Sequence, residues 1–207
     1  MLFNGREYYL IAFFIIMAAI LWFVFSFERR KPKEREVVVL AVMTAMAVIG
    51  RLIFFMTPQI KPCAAIIIIT AVMLGKQAGF LCGALTAFIS DFMFGQGPWT
   101  PWQMIAFGLV GLGAAVIFEK SALKNKMLLC IYGFVATALV YGLIMDTSTV
   151  LMTTDRPTMN AFVAVYISGI IFNVIHGLST VVILWFLADP MFRKLDRIKQ
   201  KYGMYTN

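Results

Sequence analysis

Charge is scarce in this chain. Only 14% of its 207 residues are Asp, Glu, Lys or Arg, and acidic residues number 10 with a single His. That leaves too little polar surface for a soluble globular domain, and far too little for a disordered segment. Cysteine is also sparse. Cys63, Cys82 and Cys130 sit in apolar stretches with no CxxC pair, which excludes a disulfide scaffold and reads as buried thiols. Missing too are a GxxxxGK[ST] phosphate loop, an HExxH pair, a Cys/His cluster at metal spacing and a GxSxG elbow. The chain therefore has no motif for hydrolysing ATP, holding a metal or presenting an activated serine, and no cofactor is expected. No clear inverted repeat is evident.

Apolar residues take the place of charge. They make up 61% of the chain, with 19 Phe and a mean hydropathy of +0.87, against about 45–50% in soluble proteins. The fold class is all-α, a polytopic membrane helix bundle. The apolar runs are continuous rather than alternating, which argues against a β-barrel. About 20 residues are needed to cross roughly 30 Å of hydrocarbon. Seven segments present themselves: Tyr8–Phe27, Val37–Thr57, Cys63–Leu74, Ala78–Phe94, Trp102–Phe118, Met127–Met145 and Ala161–Ala188. The first is too long for a signal peptide and lacks a cleavage site.

The short run Cys63–Leu74 is settled by the positive-inside rule. If it crosses, with the N-terminus outside, fourteen of the 18 Lys and Arg fall on the cytoplasmic side. If it does not, the balance reverses to about 6 inside against 11 outside. Seven helices are expected, N-terminus outside and C-terminus cytoplasmic. The net charge of +8 is then a topology signal, and no nucleic-acid partner is expected. Residues 1–36 form an extra N-terminal helix with a basic linker, 37–190 a six-helix substrate-binding unit, and 191–207 a basic cytoplasmic tail.

A charge within the bilayer is costly and needs a reason. Arg51, Asp91 and Asp146 lie in the outer half of their spans, Gln103 at the outer end of the fifth, and Asn173 and His176 one turn apart on the seventh. The inner half is almost free of ionisable groups. This asymmetry points to a polar cavity opening outward. The plainer alternative is a structural pair, Arg51–Asp91 or Arg51–Asp146, with a hydrogen bond from His176 or Asn173 between helices. The segment Gly95–Gln103 holds Gln96, Trp99 and Trp102 among two Gly and two Pro, which fix a shaped turn. Its Trp rings suit either a ligand cap or an interfacial belt. The stretch Met152–Asn160, with Arg156 and Asn160, is either a lid or a connector. The candidate ligand-binding set is thus Arg51, Asp91, Gln96, Trp99, Trp102, Gln103, Asp146, Arg156, Asn160, Asn173 and His176. Small residues mark close helix contacts: Ala41 and Ala45 on the second span, and Gly108, Gly111 and Gly113 on the fifth.

Three features together resemble the substrate-specificity (S) components of energy-coupling factor (ECF) vitamin transporters. They are the span Leu40–Arg51 (LAVMTAMAVIGR) after a basic segment, the short span that follows, and the loop Phe94–Met104 (FGQGPWTPWQM). The resemblance runs from Val37 to Lys201. It implies a six-helix bundle in the bacterial plasma membrane that captures a vitamin-like small molecule and performs no catalysis. It also implies partners: a membrane coupling subunit, docked on Ala41 and Ala45, and two ABC-type ATPase subunits. The loop is similar to that of a branch proposed for cobalamin or a related corrinoid, so cobalamin is the first substrate expected, ahead of a queuosine precursor, thiamine or pantothenate. The N-terminal helix departs from the six-helix pattern. Two readings of other classes remain: an intramembrane enzyme using Asp91, Asp146 and His176 in one cavity, and an assembly protein with no sizeable outer cavity.

Overall fold

The computed structural model describes residues 7–29, 32–118, 125–154 and 157–203. Among these, seven helices and no strand occur. They are α1 (Glu7–Arg29), α2 (Glu34–Ile53), α3 (Cys63–Leu74), α4 (Lys76–Phe94), α5 (Thr100–Phe118), α6 (Lys126–Thr153) and α7 (Met159–Tyr202). Five of them, α2, α4, α5, α6 and α7, are long and apolar enough to cross a membrane.

The run Ile66–Ile69 in α3 would favour a strand in water, since β-branched residues are poor helix formers. In hydrocarbon each backbone N–H needs a partner, and a lone segment finds one only as a helix. With 12 residues, α3 rises only about 18 Å and cannot cross the bilayer unaided. It does not meet lipid either, because every residue except Val72 is buried by its neighbours. Its reversal of chain direction, expected from the charge count, is made inside the protein.

That reversal needs one residue. Gly75 adopts φ 90°, ending α3 with its N–H on Ala71 O (2.8 Å) and starting α4 by accepting from Gly79 N (2.9 Å). A positive φ of this kind favours glycine. The two helices then return side by side. Close approach continues between α4 and α5, where Gly79 faces Gly111 and Gly83 faces the Phe107 carbonyl. Of the three expected small residues on α5, Gly108 takes the Phe80 ring, Gly111 the Gly79 backbone, and Gly113 the Tyr132 hydroxyl.

Five buried hydroxyls are satisfied within their own helices. Thr70, Thr86, Ser90, Thr137 and Thr180 each bond the carbonyl four residues earlier, at 2.6–2.9 Å. The three cysteines are free and buried, as expected.

Most helix ends differ by a few residues from the sequence expectation, and three of the differences bear on the loops. The fifth span begins at Thr100 rather than Trp102, so Pro101 lies in the first turn, where its missing N–H costs nothing. The sixth continues to Thr153 through a π-helical segment at Ala136–Tyr141. Of the polar stretch Met152–Asn160, the first two residues thereby close α6, and Asn160 already lies in α7. The basic tail also continues as helix past Pro190. Its last turn meets the start of α2: Lys33 Nζ donates to Gly203 O (3.0 Å) and Arg35 Nη1 to Tyr202 O (3.2 Å). Cations on terminal carbonyls also suit the helix dipole.

Successive helices alternate in direction, which sorts the loops into two ends. The basic end gathers Arg29, Lys33, Arg35, Lys76 and Lys126. The other, the Trp-loop end, gathers residues 54–62 and 95–99, the end of α6 and the start of α7. Helix α1 lies against α4 and α5: Phe23 stacks on Phe80 with centroids 3.8 Å apart, and Ile16 and Ile20 pack with Ala84 and Trp102.

Gly83→Ala places a methyl against the Phe107 backbone, which has no side chain to swing aside. We expect a loss of about 1–3 kcal/mol, typical of overpacking, read as a lower unfolding midpoint in detergent. Leu85→Ala, at a position 37% exposed, should shift it far less. An unchanged midpoint for Gly83→Ala would mean that α4 and α5 are not held at this separation.

Candidate functional site

One buried network occupies the Trp-loop end. Arg51 comes from the last turn of α2, and its side chain is buried. Its Nη1 donates to Asp91 Oδ1 (2.9 Å) and to the Ser90 hydroxyl, and its Nη2 donates to Gln103 Oε1 (3.0 Å). Asp91, 1% exposed, takes a second bond on Oδ2 from the Thr100 hydroxyl (2.9 Å). Gln103 turns its amide nitrogen to Tyr141 Oη (2.9 Å). Four helices, α2, α4, α5 and α6, are thus tied together through one guanidinium.

Aromatic rings close around it. Phe94 lies 4.6 Å from the guanidinium carbon and Phe107 5.8 Å. Tyr141 tilts against Phe107 (4.4 Å) and meets the His176 ring edge-on at 4.9 Å. The network continues into the loop, because the Thr100 hydroxyl also accepts from Gly97 N (3.3 Å). A Cβ on Gly97 would strike the Trp99 ring, so only glycine allows Trp99 to fold back there. Gln96 Nε2 pins the same loop to Phe88 O (2.8 Å).

The expected residues therefore divide. Arg51, Asp91 and Gln103 meet directly, His176 joins through ring contacts, and Gln96 and Trp99 shape the adjoining loop. Trp102 is buried and packs with Ile16 and Ile20 of α1. Asp146 is not Arg51's partner. It accepts from Asn173 Nδ2 (2.9 Å), forming a second pair between α6 and α7 next to Gly142 and Gly169. Asn160 is exposed at the start of α7. Arg156 lies outside the described residues. Neither carboxylate bonds His176: Asp91 is held by Arg51 and Thr100, and Asp146 by Asn173. The three groups of the intramembrane-enzyme reading are thus engaged separately.

Sequence reasoning missed Ser90, Thr100, Tyr141 and Phe94. Ser90 and Thr100 carried a signal, since one adjoins Asp91 and the other lies within the Trp loop. Tyr141 carried none, because its direction depends on the π-helical segment ending there.

Ala41 and Ala45 are exposed on the other face of α2. They line an apolar groove of about 350 Å³ with Leu40, Thr44, Val48 and Leu85.

Removing one member of a buried ion pair leaves the other charge uncompensated, at a cost of about 3–5 kcal/mol. Asp91→Asn should therefore lower the unfolding midpoint more than Thr100→Val, which removes a single hydrogen bond to a charged group, about 1.5–3 kcal/mol. Denaturant unfolding in detergent measures both. Equal midpoints for Asp91→Asn and the parent would show that the pair does not hold the bundle.

Comparison with known proteins follows the same outline. Residues 31–193 match the family described as ECF-type riboflavin transporter, S component. A UPF0397 protein of Aliivibrio salmonicida is 29% identical over 131 residues, covering 56% of this chain and 71% of that one. A UPF0397 protein of Aliivibrio fischeri is 30% identical over 100 residues, covering 45% and 54%. One of Vibrio atlanticus is 32% identical over 98 residues, covering 44% and 53%. The chain thus spans about seven tenths of the first relative and about half of the other two. No solved structure matches it. The family match takes in α2 to α6 and most of α7, and leaves α1 outside. It places the chain among transporter substrate-binding subunits rather than enzymes, as a multi-pass protein of the bacterial plasma membrane. The chain belongs to the S-component family of ECF-type transporters.

Proposed function

We propose that this protein captures a vitamin-like molecule at the Trp-loop end, which faces outward, and releases it inward with a coupling subunit and two ABC-type ATPases. The observation that carries this reading is the family match over residues 31–193. The excess of Lys and Arg at the opposite end supports the orientation.

Two observations bear on the ligand. The family description names riboflavin. The loop Phe94–Met104 resembles that of a branch proposed for corrinoids. Both ligands carry a large conjugated ring system. The Trp-loop end offers aromatic surface for such a ring, with Trp99 40%, Phe55 51% and Phe92 65% exposed. Nothing beyond the loop favours cobalamin, so riboflavin and cobalamin stand together as the first ligands to test. The queuosine precursor, thiamine and pantothenate follow.

Docking of the coupling subunit belongs on the groove at Ala41 and Ala45. Small residues there let a partner helix approach closely. The groove's lining is almost wholly apolar, which suits a contact made within the bilayer.

Calorimetric titration of the detergent-purified protein should give micromolar or tighter binding for one ligand of this set, weakened at least tenfold by Trp99→Ala. Failure of every ligand would overturn the capture reading. In cells expressing the whole transporter, Ala41→Trp and Ala45→Trp should abolish uptake while the purified subunit keeps its affinity. Parallel loss of both would remove the groove from coupling.

A further inference from the structure

The residues around Arg51 do not balance in charge. Asp91 is the carboxylate of the network, and both its oxygens are engaged, one by Arg51 and one by Thr100. A second cation stands close by. Lys61, half-buried just before α3, places its Nζ 4.4 Å from the centroid of Phe94, the ring that also carries Arg51. Among the described residues Lys61 forms no hydrogen bond and no ion pair. Two cations therefore share one ring, with one carboxylate between them.

Like charges that share a partly desolvated site disfavour one another. Burial, and next the Arg51 charge, hold the Lys61 ammonium below its usual range, and the pull of Asp91 in the other direction is smaller. The loop that presents Lys61 is shaped rather than slack. The Thr57 hydroxyl lies 2.9 Å from Phe54 O and 3.0 Å from Ile60 O. Gln59 holds φ 59°, which few residues other than glycine adopt. Such strain persists where the surroundings fix it, and it recurs at ligand clamps.

We propose that Lys61, backed by Arg51, is an anion-binding position at the Trp-loop end, filled by a carboxylate or phosphate group of the captured ligand. The position itself stands on the charge imbalance and the fixed loop; its filling by the captured ligand rests on the capture reading above. A phosphate or carboxylate oxygen on the ammonium supplies the acceptor that Asp91 does not. The contact with the Phe94 ring places the ammonium, so a rigid ligand meets a charge at a set position. The transported molecule is then an acid, or a phosphorylated form of a flat heterocycle, in preference to its neutral twin.

Matched pairs test this on the full-length purified protein: FMN against riboflavin, and pantothenate against pantothenol, each titrated into parent, Lys61→Gln and Lys61→Arg. The expected result is a preference of at least tenfold for the anionic member of one pair. Lys61→Gln should reduce it to within twofold, and Lys61→Arg should retain it. Equal affinity within each pair that binds, or a preference that survives Lys61→Gln, overturns the proposal. A second measurement needs no organic ligand. Inorganic phosphate, compared with chloride at matched ionic strength, should raise the thermal midpoint of the parent and of Lys61→Arg but not of Lys61→Gln. If phosphate stabilises the parent through Lys61 while neither these pairs nor cobalamin, thiamine or the queuosine precursor bind, the anion position stands and the capture reading fails. If phosphate gives no Lys61-dependent shift and no pair shows a Lys61-dependent preference, the position is not an anion site.

Discussion

A polar group left without a partner in hydrocarbon costs several kcal/mol, and this requirement governs the protein at two scales. Along each helix it makes the backbone satisfy itself, which is why an Ile-rich run becomes α3 and why buried Thr and Ser bond back one turn. Across helices it leaves the buried guanidinium of Arg51, which no single helix can satisfy. Its acceptors come from α4 and α5, and Gln103 extends the network to α6. The relative placement of four helices at the Trp-loop end follows from that one group. At the opposite end Glu36 is buried at the start of α2, within electrostatic reach of Lys199 on α7. Cations on carbonyl groups add to the contacts there, as does the Lys126–Asp189 pair at 2.7 Å, half-exposed and worth correspondingly less.

The two ends therefore differ in kind. The Trp-loop end is rigid through buried, charge-assisted bonds with fixed geometry. The basic end is joined by Lys33 and Arg35 on the last carbonyls of α7 and by the Lys126–Asp189 pair. Between them α4 and α5 form the closest helix pair, made possible by Gly79, Gly83, Gly108 and Gly111. Trp102 and α1 seal the flank of that pair. The added helix is thus attached to the most tightly packed seam, with most of its surface turned outward, since Phe14, Ile15, Trp22 and Phe25 are exposed.

Much of this was legible before any coordinates. Hydropathy gave the helices, and the count of Lys and Arg gave the reversal at Cys63–Leu74, whose bounds match α3 residue for residue. The requirement for a reason behind each membrane charge singled out Arg51 and Asp91, and they do meet. What stayed hidden depended on helix rotation. Whether Trp102 faces the loop or α1, and whether Asp146 faces Arg51 or Asn173, is decided by about 100° per residue around an axis. Apolar periodicity is a weak guide in a chain apolar on all sides. The π-helical segment compounds this, because one extra residue in the turn re-aims Tyr141 and everything after it. The end of the sixth span was missed for a related reason: the polar residues Thr147 and Thr149 lie past its expected end and Thr153 in the expected loop, yet each bonds back to its own helix.

The candidate capture site and the candidate docking groove share one helix. Arg51 closes the last turn of α2, and Ala41 and Ala45 lie on its opposite, exposed face nearer the basic end. From Ala41 to Arg51 is about 15 Å along the axis, with neither Pro nor a π-turn between them and Gly50 only at the far end. Such a segment moves as a rod, since bending needs one of those breaks. Four buried side chains, Met43, Thr44, Ala47 and Val48, fix its rotation against the bundle between the two positions. A change at Arg51 that alters its bonds to α4 and α5 can therefore reach the groove as a tilt or rotation of the whole helix. A local rearrangement would stop at the first turn. The groove is lined by α4 as well, through Leu85 and Ile89, and α4 is the helix that carries Ser90 and Asp91. One wall of the groove thus ends in Arg51 and the other in residues bonded to its guanidinium, so the width of the groove and the geometry of the network are set by the same pair of helices.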